Sequence, residues 1–264
     1  MERIRDRVTL SFEQHVARVA LSRPEKYNAL DLDMMHALVE SARRVRKQPD
    51  IRAVIVHGEG PAFCAGLDFA SATRQPARIL AGFLPWLRKD NLFQRLCLSW
   101  RDLPMPVIAA THGYCFGGGL QLALGCDFRF STPDCVFSVM EIEWGLIPDM
   151  GASVTLRDLV PIDVAMELAM TGRRFSADEA RDLNLVSRVE AEPLEAAGEF
   201  ASRLARQSPD AVRATKRLFR ETRHVSQRHA LHQERRLQLQ MLLGKNQREA
   251  MRARQEKRDP DFRL

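Results

Sequence analysis

Polar and apolar residues alternate over residues 8–11, residues 16–21 are apolar but for Arg18, and an apolar run fills Ala53-Val54-Ile55-Val56-His57. Each run is short and bounded by turn or charged residues, so each predicts a strand. Between the second and third, Leu32, Met35, Leu38, Val39, Ala42 and Val45 recur at helical spacing, with Asp31 or Asp33 placed to cap a helix. The order strand, strand, helix, strand returns around Pro106-Val107-Ile108-Ala109-Ala110, an apolar stretch opened by three glycines at 117–119, and Asp127-Phe128-Arg129-Phe130. This progression predicts an α/β chain wound as a spiral of repeated β-β-α turns, although no sequence repeat marks them. Residues 70–102, with Trp86, Phe93 and Trp100 among charges, break the pattern and predict a helical insertion or lid.

From Glu141 onward the pattern turns helical. Pro161 suits the first position of a helix, and Ser208-Pro209 opens another. Ser176 with Glu179, and Asn246 with Glu249, have capping-box spacing. No strand pattern appears after Pro193, which places a boundary near 192: a core over 1–192 and a helical region over 193–264.

With 264 residues and 45% hydrophobic content the chain can bury a sizeable interior. The five cysteines, Cys64, Cys97, Cys115, Cys126 and Cys135, form no C-x-x-C pair, and most have apolar neighbours. They read as free buried thiols of a reducing, cytoplasmic setting. The opening Met1-Glu2-Arg3-Ile4-Arg5-Asp6 has no apolar core of a signal peptide. Residues 107–125 approach the length of a membrane span, but Thr111, His112, Gln121 and the glycines argue against one. The net charge is +6, yet residues 203–264 hold 17 Lys and Arg against 7 Asp and Glu, so the rest is net acidic. A basic helical tail fits a solvated face, an acidic partner or phosphates. It lacks the aromatic interleaving of a nucleic-acid platform. His224, His229 and His232 have no acid or cysteine at metal-ligand spacing and read as solvated.

Consecutive glycines cost backbone entropy and make sense where bare N–H groups must approach a ligand closely. Gly117-Gly118-Gly119 is one such point, and Ala62-Phe63-Cys64-Ala65-Gly66-Leu67-Asp68-Phe69 is a second. Downstream, Met140-Glu141-Ile142-Glu143-Trp144-Gly145-Leu146-Ile147-Pro148-Asp149-Met150-Gly151 sets acids among apolar residues. Two backbone-donor turns and sheltered carboxylates point to a site that stabilises an oxyanion and moves protons.

Together with residues 21–30, these segments resemble the crotonase (enoyl-CoA hydratase/isomerase) superfamily, in family order from about residue 16 to 147 and again at the tail. The resemblance implies a crotonase-like spiral whose C-terminal helices build a trimer, often stacked into hexamers. It implies an acyl-CoA thioester substrate, with coenzyme A part of the substrate and no metal or redox cofactor. The thioester oxygen would be received by the N–H groups of Leu67 and Gly118. Coenzyme A would lie across residues 23–29 and Ala65, with Lys26, Ala29 and Asp68 in reach, and Lys216, Lys257 and Arg258 as weaker phosphate candidates. Asp68 and Asp127 also read as buried structural carboxylates, the latter beside Arg129, and Trp144 as wall.

The hydratases of this family use two glutamates, whose positions here are Gln121 and Glu141. Gln121 exchanges no proton and can only position water or substrate by hydrogen bonds. Dienoyl-CoA isomerases of the family carry an aspartate at the place of Asp149, although they also have an acid where this chain has Gln121. Glu143 is a rival acid two residues from Glu141; the spacing to Gly145 and Pro148 favours Glu141. The resemblance therefore puts double-bond isomerisation by Glu141 and Asp149 ahead of hydration. A non-catalytic or RNA-binding homologue is the further alternative.

Overall fold

The computed structural model describes residues 1–84 and 89–263; Trp86, assigned to the lid from sequence, lies outside them. Among the described residues, ten strands form two sheets. Strands β1 (Glu2–Ile4), β2 (Val8–Glu13) and β3 (Val16–Leu21) pair antiparallel. β3 then pairs parallel with β4 (Ala53–Gly58), β4 with β5 (Val107–Thr111), β5 with β7 (Phe128–Ser131) and β7 with β10 (Arg188–Val189). The small sheet joins β6 (Tyr114–Phe116), β8 (Val136–Ser138) and β9 (Phe175–Ser176). Each spiral turn therefore feeds both sheets: β5 then β6, and β7 then β8. The first turn does the same in reduced form, since Cys64, beyond β4, makes a parallel bridge to Cys115 in β6.

The helices follow from the same patterning. In α1 (Leu32–Arg46) the residues at helical spacing turn inward, and Asp31 caps the helix by accepting from the Met34 N–H at 2.7 Å. The segment expected to form a lid contains α2 (Phe69–Ala72), α3 (Pro76–Phe83) and α4 (Leu92–Arg101). Only α4 anchors deeply, burying Phe93, Leu96, Cys97 and Trp100. The glycine triplet opens α5 (Gly118–Leu124), which is buried throughout. Then come α6 (Ala152–Thr155), α7 (Ile162–Thr171), α8 (Ala177–Asp182), α9 (Pro193–Ala205), α10 (Pro209–Thr222), α11 (Gln227–Leu242) and α12 (Lys245–Glu256).

Alternation along the parallel strands divides the core. Val54 and Val56 of β4 join the main cluster with α1, α4 and α5. Ala53 and Ile55 point to the other face, where Ile108, Ala110 and Phe130 meet Ala197 and Ala201 of α9. The boundary drawn at 192 thus falls just before a helix that covers the core sheet. Among the described residues no helix is long and apolar enough to cross a membrane.

Several local expectations are corrected. Pro161 is the N-cap of α7 rather than its first residue. Asn246 lies inside α12, whose cap is Gly244, and its buried amide bonds the Asp210 carboxylate at 2.8 Å and the Arg263 carbonyl at 2.6 Å. Asp127 does not pair with Arg129; it takes the Lys216 ammonium at 2.5 Å and the Val107 N–H at 2.8 Å, while Arg129 donates to the Leu185 and Cys126 carbonyls. Lys216 is thereby engaged inside the protein, and Arg258 is held by Glu249 at 2.6 Å, so neither guanidinium nor ammonium stands free for phosphate. His224 is not simply solvated, since its Nε2 lies 2.7 Å from Asp158.

Candidate active site

The two backbone donors are set by one register. Cys64 and Cys115 are bridge partners on parallel segments, and Leu67 and Gly118 each stand three residues beyond that pairing. The chain turns sharply at the residue before each donor: Gly66 has φ +88° and Gly117 φ +49°. A Cβ on Gly66 would meet the Phe116 carbonyl at 3.0 Å, so the two turns approach as closely as glycine permits. The Gly117 N–H is used by the Ser138 carbonyl at 2.9 Å. Among the described residues, the Leu67 and Gly118 N–H groups donate to no protein acceptor. Two fixed, uncharged donors at neighbouring turns are what an oxyanion needs.

Glu141 begins a single 3-10 turn, Glu141–Trp144, directly after the small-sheet strand β8. Its Oε1 lies 3.3 Å from where a Gly117 Cβ would stand, which sets the carboxylate against the donor turn. Gln121, on the same buried α5 as Gly118, donates its Nε2 to Glu141 Oε1 at 2.6 Å. Glu141 Oε2 is buried and has no hydrogen-bond partner among the described residues. Burial raises the Glu141 pKa, and the Asp149 charge adds to this; both outweigh the hydrogen bonds that favour the ionised form. Asp149 is half-buried, and its carboxyl too is raised by burial. Met150 and Leu30 close the apolar wall, their side chains reaching 2.7 and 2.9 Å from a Cβ on Gly118. Glu143, the rival acid, is exposed.

Residues 23–29 are pinned beside this centre. Asn28, at φ +56° and fully buried, donates to the Glu59 and Ala62 carbonyls at 2.9 and 2.8 Å and accepts the Arg23 N–H at 2.8 Å. The Ala65 N–H reaches the Tyr27 carbonyl at 2.9 Å, tying this loop to the Gly66 turn. Lys26 is exposed at the loop tip. The Ala29 carbonyl accepts from Arg23 at 3.1 Å. Asp68 is committed to the fold: it caps α2 through the Ser71 N–H at 3.0 Å and pairs with Arg23 at 2.9 Å. Burial pushes the Asp68 carboxyl upward, but those two partners overcome this and hold it below its ordinary value.

Periodicity had no means of finding several of these contacts. Gln121 makes three hydrogen bonds to protein groups. Trp144 is half-exposed and stacks on Phe69, with ring centroids 3.9 Å apart and planes 20° apart, linking the Leu67 turn to the Glu141 turn. Asn28 falls within residues 21–30, but its role as a pin shows only once residues 59 and 62 are brought alongside.

Sequence and structure comparisons give the family. The enoyl-CoA hydratase/isomerase family model matches residues 11–263. A mitochondrial Delta(3,5)-Delta(2,4)-dienoyl-CoA isomerase of Mus musculus is 37% identical over 215 residues, covering 78% of this chain and 66% of its own. An enoyl-CoA hydratase of Mycobacterium tuberculosis is 34% identical over 252 residues, covering 94% of this chain and 93% of its own. The crystal structure of an enoyl-CoA hydratase from Bacillus anthracis superposes with a TM-score of 0.88 at 29% identity, covering 97% of this chain and 98% of its own. The match along nearly the whole chain and the shared two-sheet spiral show that the chain belongs to the enoyl-CoA hydratase/isomerase family, within the crotonase superfamily.

Proposed function

We propose that the protein moves a carbon–carbon double bond within an enoyl- or dienoyl-CoA thioester. The observation that carries this reading is the pair of sheltered acids, Glu141 and Asp149, beside a Gln121 that exchanges no proton. The thioester oxygen accepts from the Leu67 and Gly118 N–H groups. Glu141 Oε2 takes a proton from the acyl chain, and the electron pair left behind passes through the conjugated system to that oxygen as an enolate. Asp149 returns a proton at the farther carbon, and the pair resets by proton exchange with solvent. Lys26 and the Ala29 and Ala65 backbone serve the coenzyme. Neither metal nor redox cofactor enters these steps. The identity to dienoyl-CoA isomerases supports the reading, and five buried free thiols fit a reducing compartment.

Hydration is the second reading, favoured by the match to a hydratase along 94% of this chain. A screen of 2-enoyl, 3-enoyl and dienoyl thioesters, read by mass and ultraviolet spectrum, separates the two. Isomerisation leaves the mass unchanged and alters conjugation, whereas hydration adds the mass of water. Rapid hydration of a 2-enoyl thioester with no isomerisation of any substrate overturns the proposal.

A further inference from the structure

We propose that Gln121 is a positioning residue rather than a substrate contact: its amide is the strut that fixes the Asp149 loop to Glu141 and leaves Oε2 as that acid's working oxygen. The inference rests on the two-acid reading above for its catalytic meaning, but its geometry stands apart from any substrate. Gln121 is 1% exposed. Its Oε1 accepts the Met150 N–H at 2.8 Å and the Ala152 N–H at 3.2 Å, which uses both lone pairs. Its Nε2 donates to Glu141 Oε1 at 2.6 Å. The two N–H donors demand an oxygen on one side and the carboxylate demands a donor on the other, and the Gln amide satisfies both without carrying a titratable proton.

The loop it grips is sharply bent. Gly151, between the two donors, has φ +101°, and a Cβ there would meet the Leu98 side chain at 3.0 Å. Asp149 precedes the gripped segment by one residue, so the place of its carboxyl depends on the grip. On the other side, engagement of Glu141 Oε1 leaves Oε2, buried and unpartnered among the described residues, to meet the substrate proton. The other titratable groups acting on this cluster are Asp149 itself and Cys97, whose thiol burial drives well above its ordinary value and keeps protonated.

Two variants separate the halves of the strut. Gln121→Glu keeps an oxygen for the Met150 and Ala152 N–H groups and replaces the fixed amide donor facing Glu141 by a carboxyl oxygen that can bond it only by sharing a proton. Gln121→Met removes both halves. The substrate-free readout compares the pH dependence of thermal stability for each protein with and without Glu141→Gln, which isolates the Glu141 titration. In Gln121→Glu the two carboxyls share a proton, so the midpoint should rise by about one pH unit or more. In Gln121→Met loss of the donor should move it the same way. With whichever thioester the protein turns over, kcat should fall at least about tenfold while KM stays within about twofold. A raised KM with unchanged kcat and an unmoved midpoint would show that Gln121 touches substrate, and would overturn the proposal. If Gln121→Met does not fold, Gln121→Glu decides alone. A parent protein that isomerises no thioester removes the proposed function yet leaves the stability titration to judge the strut.

Discussion

Glu141 holds its two oxygens in unlike surroundings, one bonded to an amide and one buried without a partner. Such a carboxylate is costly to ionise, and that cost is the source of its basicity. Glu141→Gln keeps the shape and deletes the base, so turnover should fall by about a thousandfold or more. The same change should stabilise the fold. A folded-state pKa raised above the ordinary 4.5 means that the acid form's stability is complete below 4.5 and is lost as pH climbs through the raised value. The gain in Tm from Glu141→Gln should therefore be small at pH 4 and grow toward neutral pH; a flat difference would refute the burial argument. Asp149→Asn tests the second acid by isomerisation rate, which should drop strongly if the proton is returned there and hardly change if Asp149 only supports the turn before Gly151. Both acids were proposed from the family resemblance, position by position. What bonds them could not, because the partners of Gln121 sit 20 to 31 residues away and meet it only through the fold.

At the level of elements, the donor pair is a property of the small sheet. Local pattern finds β2, β3, β4 and the α1 face because each has its own period. It does not find β6, β8 or β9, which are two or three residues long and are held by their neighbours instead of by propensity. The Cys64–Cys115 register was invisible for the same reason, although the glycines that form the two turns stand out in the sequence. Gly118 offers a clean test, since it is the first residue of α5, where a helix tolerates proline. Gly118→Pro removes the N–H and should cost about 3 kcal/mol of transition-state stabilisation. A side chain there also presses on Met150 and Leu30, so Gly118→Ala, which keeps the N–H, measures the steric part. The proline variant should be far slower than the alanine variant while circular dichroism matches; equal rates would remove Gly118 from the oxyanion hole. Leu67→Ala, by contrast, keeps its backbone donor and should be mild.

Over the whole molecule, several large apolar side chains stand exposed. On α7, Ile162, Met166 and Met170 recur four residues apart and are 77%, 47% and 63% exposed, one unpartnered stripe. Beside the site, Leu146 and Ile147 are exposed as well, and in the tail Leu239, Leu242 and Leu243 stand out while Leu237 turns inward. Part of the tail's basic surplus is engaged within the chain, where Arg223 and His224 join Arg101 of the core on Asp158, and Arg52 of the core in turn reaches the Ala205 and Phe262 carbonyls at 2.9 and 2.8 Å. That bracing presents the apolar positions on a fixed scaffold, which suits burial between identical copies. We expect particles three or six times the 30.1 kDa of the chain in light scattering at micromolar concentration. Met166→Asp, which places a charge in the middle of the α7 stripe, should shift the population toward smaller species while the far-ultraviolet spectrum stays unchanged. A single 30.1 kDa species for the unmodified protein would contradict the assembly. An unmoved oligomer in Met166→Asp would place the contact on the tail helices and leave the α7 stripe exposed.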